Sequence, residues 1–444
     1  MTDTDPCPKH TPCSNWPSRL DVQGPDQFLE LVNELKASAE CGELDILHAS
    51  HSFDAVKHDG QWASDFFKWR VRCRTSGKCF ELGADTYHER AVWAEIDPAP
   101  RHEERVQALL LSLALGDSLG LPYEGLGPQA IARRRGGKPL RHSLLFRRGL
   151  LSDDTEHAIM TLLAFQIAGG DSAKFARSLA RRMRLWFICI PPGIGMATAK
   201  ACLKLWLGFP SSRSGVRSAG NGPCMRAPIL GVLIPDDDLR CQFVDASSRL
   251  THTDPRAIES ARFIAALAAA NTSACPLKPD VVRAIADREL TQPDLHTEVV
   301  KSIDIATRGG RIADLGYTRG PSGFVLHTVP AVTIAVLANP TDPMTAIEDC
   351  IRAGGDTDST AAIAAAICGA ATRPDALPQD LLYGIIDFPI SRKYLARLTT
   401  DLAIRDAQEK RNILHLLRWI VMPLRNLIML IVVLVHGFRR LTRL

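Results

Sequence analysis

Two short stretches, Ser152-Asp153-Asp154-Thr155-Glu156 and Gly354-Gly355-Asp356-Thr357-Asp358-Ser359-Thr360, concentrate carboxylates and hydroxyls within a few residues. Each opens directly into an apolar run of helical character, His157 to Phe165 after the first and Ala361 to Gly369 after the second. A helix start favours an acidic residue through capping and the macrodipole. One carboxylate satisfies that preference. Here two adjacent Asp stand in one motif and two Asp spaced by one residue in the other. If the fold brings these four together, their repulsion calls for cations. Hard divalent ions such as Mg²⁺ or Mn²⁺ prefer carboxylate and hydroxyl oxygens. The pattern therefore predicts a two-cation site, with two independently capped, solvated helices as the alternative.

Four further segments lie around and between these motifs. Gly116-Asp117-Ser118-Leu119-Gly120-Leu121-Pro122-Tyr123-Glu124-Gly125 precedes the first, and Gly220-Asn221-Gly222-Pro223-Cys224-Met225-Arg226 follows it. Leu250-Thr251-His252-Thr253-Asp254-Pro255 and Ser322-Gly323-Phe324-Val325 come before the second. Together, in this order and over roughly residues 103 to 375, the six segments resemble the signatures of the ADP-ribosylglycohydrolase family, which includes the dinitrogenase reductase-activating glycohydrolases.

That resemblance implies a compact orthogonal all-α catalytic domain and two Mg²⁺ or Mn²⁺ ions. It implies Glu124, Ser152, Asp153, Asp154, Asp356, Asp358 and Ser359 as metal ligands, with Glu124 and Asp154 as catalytic groups. Ser152 and Ser359 stand where the family often has Thr; each keeps the ligand oxygen and loses only a methyl. Gly220, Asn221 and Gly222 are expected at the diphosphate of ADP-ribose, because small residues let backbone N–H groups approach an anion. His252, Gly323 and Phe324 are expected to face substrate, Phe324 standing where the family often has Tyr. Asp117 is expected to orient a neighbouring loop, and Arg226 to meet either a phosphate or a structural partner. The implied activity is metal-dependent removal of ADP-ribose from a modified protein side chain, arginine foremost. A binding module that recognises ADP-ribose or an ADP-ribosylating toxin, and acts by blocking without turnover, is the alternative.

Composition narrows the rest. A chain of 444 residues with 46% hydrophobic content can bury a large core in two or three domains. A net charge of +4, with basic residues scattered, gives no support to nucleic-acid binding. The polar N-terminus lacks the apolar core of a secretory signal, so a cytoplasmic location and free thiols at the 12 cysteines are expected.

Residues 1–98 concentrate aromatics and alternating runs such as Trp69 to Cys73, which predicts a small α+β domain. Cys7, His10, Cys13, Cys73 and Cys79 invite a zinc reading, weakened by the wide Cys73 to Cys79 gap. Pro98 and Pro100 mark a linker over 97–104. Residues 103–398 alternate Ala- and Leu-rich runs with Gly, Pro and Asp loops, and no strand–helix alternation appears. An all-α domain is predicted there.

Residues 399–444 form a tail whose segment 413–438 is strongly apolar and is followed by Arg439, Arg440 and Arg443. Its uninterrupted stretch, Leu427 to Val435, is about half the ~20 residues of a spanning helix. Pro423, Arg425 and Asn426 interrupt any longer span. A membrane anchor, an interfacial helix and a helix packed on protein all remain open. A chain ending near Asp406 is expected to be soluble and active.

Overall fold

The structure, a computed structural model, describes residues 16–96, 100–144, 147–273, 276–400, 421–432 and 435. Cys7, His10, Cys13 and most of the arginine-rich terminus lie outside the described residues. The chain divides into two compact units, Met1–Pro100 and Arg101–Leu444.

The first unit is an antiparallel sheet with one helix, Gly24–Glu40. Its strands are β1 (Arg19–Val22), β2 (Leu44–Ala49), the short pair β3 (Lys57–His58) and β4 (Gln61–Trp62), then β5 (Phe66–Cys73), β6 (Cys79–Asp85) and β7 (Arg90–Ile96). The main sheet runs β1-β7-β6-β5-β2. Period-two alternation along β5 and β6 sends Phe67, Trp69, Phe80 and Leu82 into the core. Phe67 and Trp69 stack at 5.7 Å, and the Trp69 indole N–H donates to the His51 carbonyl at 2.9 Å. Cys41 and Cys73 each take part in a disulfide. The expectation of free thiols throughout therefore fails here, and Cys73 has no thiolate to offer a metal.

The second unit is helical. Its centre is the helix His102–Gly120, whose residues from Ala108 onward are all buried. This is the described helix long and apolar enough to cross a membrane, and 94% of its apolar window is inside the protein. Against it lies the helix Thr357–Gly369. The two backbones approach so closely that a Cβ at Gly116 would stand 2.5 Å from the Ala361 carbonyl oxygen. A Cβ at Gly120 would stand 2.5 Å from that of Thr357. Glycines at a four-residue spacing thus seat the second acidic motif directly on the central helix.

The tail is not a segment apart. Its described helix, Val421–Val432, buries Met429 against Leu121, Leu144 and Leu150. Arg425 and Asn426, which looked like interruptions of a membrane span, point inward and are buried. Outward it presents Leu424, Leu427, Ile428, Leu430 and Ile431. The helix is polar on its inner face and apolar on its outer face.

Candidate active site

The two acidic motifs form the N-termini of two helices, Asp153–Ala168 and Thr357–Gly369. Ser152 caps the first: its Oγ accepts from the Asp154 N–H at 3.2 Å. The same hydroxyl donates to Asp154 Oδ2 at 3.4 Å. From the second motif, Ser359 Oγ donates to that oxygen at 3.2 Å. Residues 205 apart in sequence therefore meet on one carboxylate. Two independently solvated caps would show no such contact.

Asp117, on the central helix, supports the first motif from below. Its carboxylate accepts from the Ser152 N–H at 3.0 Å, the Thr155 N–H at 3.2 Å and the Thr155 hydroxyl at 2.5 Å. Burial raises its pKa to about 6, against these hydrogen bonds that favour the charged form. Asp356 is fixed by the Asn221 amide, which donates to Oδ2 at 2.7 Å and to Thr328 Oγ1 at 3.1 Å. Thr357 Oγ1 donates to the Gly120 carbonyl at 2.9 Å, tying the second motif to the central helix.

Glu124 follows the turn Leu121–Tyr123 and is exposed. Its neighbour Gly125 donates to the Gly355 carbonyl at 2.7 Å, and Gly355 donates back to the Leu126 carbonyl at 2.8 Å. This paired backbone sets Glu124 at the rim of the acidic cluster. Asp153, Asp154 and Asp358 are all held well above the ordinary carboxylate range, first by burial and then by neighbouring carboxylates. The charge of Glu124 acts on both Asp153 and Asp358.

The donors suit a hard divalent cation in kind: carboxylates and serine hydroxyls, all oxygen. Asp154 Oδ1 is buried with no hydrogen-bond partner. A buried carboxylate oxygen left unsatisfied is costly unless it meets a cation or donor. Among the described residues, however, no three or more His, Cys, Asp or Glu side chains are gathered closely enough to hold a metal ion.

The glycine loop sits beside this cluster. Asn221 N–H donates to the Gly323 carbonyl at 2.9 Å, and Val325 N–H to the Ala219 carbonyl at 3.0 Å, so 219–221 pairs with 323–325. Gly220 N–H turns to Ser218 Oγ at 3.3 Å. Two of the three N–H groups expected at a diphosphate, those of Gly220 and Asn221, are thus engaged within the protein. The loop's small residues have another use. A Cβ at Gly222 would stand 2.9 Å from the His252 ring, and one at Gly220 3.1 Å from it.

His252 packs behind that loop. It is 3% exposed, its Nδ1 lies 2.9 Å from Thr251 Oγ1, and burial with the nearby Arg226 lowers its pKa to about 3. A neutral ring that shapes the loop is what the geometry provides, in place of the substrate-facing ring expected from the motif. Arg226 is likewise internal. It donates to the Ser247 carbonyl at 3.0 Å and to Thr251 Oγ1 at 2.8 Å.

Gly323 joins the loop to the acidic site: a Cβ there would stand 3.3 Å from Asp356 Oδ2. On its other side opens a shallow depression of about 590 Å³, lined by Arg217, Gly220, Arg256, Gly323 and Phe324 among others. The Phe324 ring is partly exposed there, with the Arg256 guanidinium 5.7 Å from its centroid. Arg256 is held by Asp254 and Asp294 at 3.0 and 3.3 Å, while Arg217 is exposed. Neither arginine was singled out by the sequence reading, because an exposed basic residue carries no signature without its neighbours.

A model of the ADP-ribosylglycohydrolase family matches residues 98–412. The chain belongs to the ADP-ribosylglycohydrolase family. It is 30% identical over 313 residues to an uncharacterized protein of Archaeoglobus fulgidus, covering 68% of this chain and 96% of that one. It is 27% identical over 297 residues to the uncharacterized protein YegU of Escherichia coli, covering 60% and 87%. Among solved structures it is similar to an ADP-ribosylglycohydrolase-related protein complex, at 22% identity and a TM-score of 0.51. That likeness covers 68% of this chain and 98% of the other and shows the shared fold. Family membership supports a glycohydrolase function and accounts for the helical second unit.

Proposed function

We propose that the protein hydrolyses the glycosidic bond between ADP-ribose and a modified protein side chain, arginine in first place, with two Mg²⁺ or Mn²⁺ ions. The observation that carries this reading is the convergence of both acidic helix starts on Asp154, beside a depression with an aromatic wall and arginines. Glu124, Ser152, Asp153, Asp154, Asp356, Asp358 and Ser359 would hold the cations. When bound, these supply charge stabilisation for sugar oxygens and a water of lowered pKa.

The chain's own residues divide the remaining work. Glu124, exposed at the rim, is placed to take a proton from the attacking water. That water's oxygen bonds to the anomeric carbon as the carbon–nitrogen bond to the guanidino group breaks, and the leaving nitrogen gains a proton. Asp117 holds Ser152 and Thr155 on either side of Asp153 and Asp154, and Asn221 holds Asp356, before substrate arrives. Phe324 offers a ring face to the adenine, and Arg217 a cation to the diphosphate. The test is a panel of arginine-, serine- and nucleic-acid-linked ADP-ribose offered to the full chain with Mg²⁺ or Mn²⁺. Release from arginine is expected; release from another linkage alone would reassign the substrate, and release from none would overturn the reading.

We further propose that the tail meets an anionic membrane surface, such as the cytoplasmic leaflet presents. The polar-inside, apolar-outside helix Val421–Val432 supports an interfacial position, and Arg439, Arg440 and Arg443 follow it in sequence. Full-length protein should sediment with phosphatidylserine vesicles and far less with neutral ones. Equal failure to bind both, or binding undiminished in a Leu427→Glu, Ile431→Glu variant, would sink this placement.

A further inference from the structure

The family match ends at residue 412, yet Arg425 beyond it reaches the residue that leads into the first acidic motif. Its guanidinium is buried and every face of it is used. Nη2 donates to the Leu151 carbonyl at 2.5 Å, and Nε donates to Asp387 Oδ1 at 3.0 Å. Nη2 also donates to Asp387 Oδ2, while Nη1 donates to Glu156 Oε1 at 2.9 Å and Asn426 Oδ1 at 2.7 Å. Asp387 Oδ2 in turn accepts from the Leu151 N–H at 2.9 Å. The N–H and C=O of Leu151 are thus both held by the Arg425–Asp387 pair.

The grip continues through the motif. Ser152 and Thr155 are held by Asp117. Glu156 is held by Arg425 on one oxygen and by the Trp186 indole N–H, at 2.5 Å, on the other. Residues 151, 152, 155 and 156 are therefore fixed from outside the motif, and the two between them are Asp153 and Asp154. A tail that needed only to adhere has apolar contacts for that purpose in Met429. Burying a cation is costly, and only a planar five-donor fork can serve two carboxylates and a carbonyl together.

We infer that Arg425 is a positioning residue for the first acidic motif, and that the tail helix is a brace that sets Asp153 and Asp154 for cation binding. This rests on the proposed metal-dependent reading of the site. Outer partners of ligands commonly change metal affinity about 10–100-fold when removed.

The experiment measures Mn²⁺ binding to full-length protein by electron paramagnetic resonance, without substrate. Wild type is compared with Arg425→Lys, Arg425→Met and Met429→Ala, each checked for folding by circular dichroism. Arg425→Lys and Arg425→Met should weaken Mn²⁺ binding about tenfold or more. Met429→Ala, which trims the tail's apolar contact with Leu121, Leu144 and Leu150 and leaves the Arg425 hydrogen bonds in place, should bind as wild type does. If Arg425→Met does not fold, Arg425→Lys, which keeps a cation against Asp387 and Glu156, decides alone. Wild-type affinity in the Arg425 variants would overturn the inference, as would an equal loss in Met429→Ala. No Mn²⁺ binding by wild type would instead overturn the metal-site reading itself, and this inference with it.

Discussion

Asp154 carries the account at the scale of the residue, because it has one oxygen shared with two serines and one with no partner. Without cations, Asp153, Asp154 and Asp358 are held protonated to higher pH than in the unfolded chain. The native state then binds more protons than the unfolded one, so stability falls as pH rises through the raised values. It is regained on acidification toward the ordinary carboxylate value of 3.8. His252 works in the opposite sense. Held near 3 when folded, it costs stability as pH falls below its unfolded value of 6.5. Comparing wild type with Asp154→Asn, Asp358→Asn cancels the histidine contribution. In chelator, wild type should gain melting temperature relative to that variant between neutral pH and about pH 5.5. Saturating Mn²⁺ should stabilise wild type at neutral pH and leave the variant unmoved. Equal wild-type melting with Mn²⁺ and with chelator would show that the carboxylates do not oppose one another. The two acidic motifs that meet at Asp154 were legible in the sequence because paired Asp beyond any capping need is a chemical anomaly. His252 was misplaced because a motif gives neighbours along the chain and not which face of a loop a ring lies on.

Between elements, the decisive contact is backbone against backbone. Gly116 and Gly120 let the central helix touch the helix Thr357–Gly369, and a Cβ at Gly120 would also stand 2.6 Å from the Asp358 Cα. Gly120→Ala must push the second acidic motif away from the first. It should destabilise the protein by roughly 1–3 kcal/mol, as overpacking commonly does, and weaken Mn²⁺ binding. Gly127→Ala, where the added methyl meets open space, is the control and should change neither. Thermal unfolding and metal titration of both variants check this, and an unchanged Gly120→Ala would show that the helices yield. Helical periodicity made the all-α unit and the aromatic-rich α+β unit legible before any coordinates. Helix-to-helix docking was not legible, since a glycine inside a helix reads as a local cost until its neighbour is known.

For the molecule as a whole, the segments outside the family match are where sequence reasoning was weakest. Arg425 and Asn426 were weighed as costs of a membrane span, and they are the inward face of a packed helix. Arg425→Met leaves Glu156 and Asp387 buried without their cation, a loss of about 3–5 kcal/mol for a broken internal pair. A chain ending near Asp406 loses the same cation, so it should melt lower and bind Mn²⁺ more weakly than full-length protein. That reverses the expectation that the tail is dispensable for activity. The central claim is that both acidic motifs work together as one metal-dependent hydrolytic site. The most direct measurement is ADP-ribose release from an ADP-ribosylated arginine substrate by full-length protein, in Mn²⁺ and in excess chelator, with Asp358→Asn alongside. Release in Mn²⁺ that chelator and Asp358→Asn each abolish is the predicted result; release indifferent to both would contradict it.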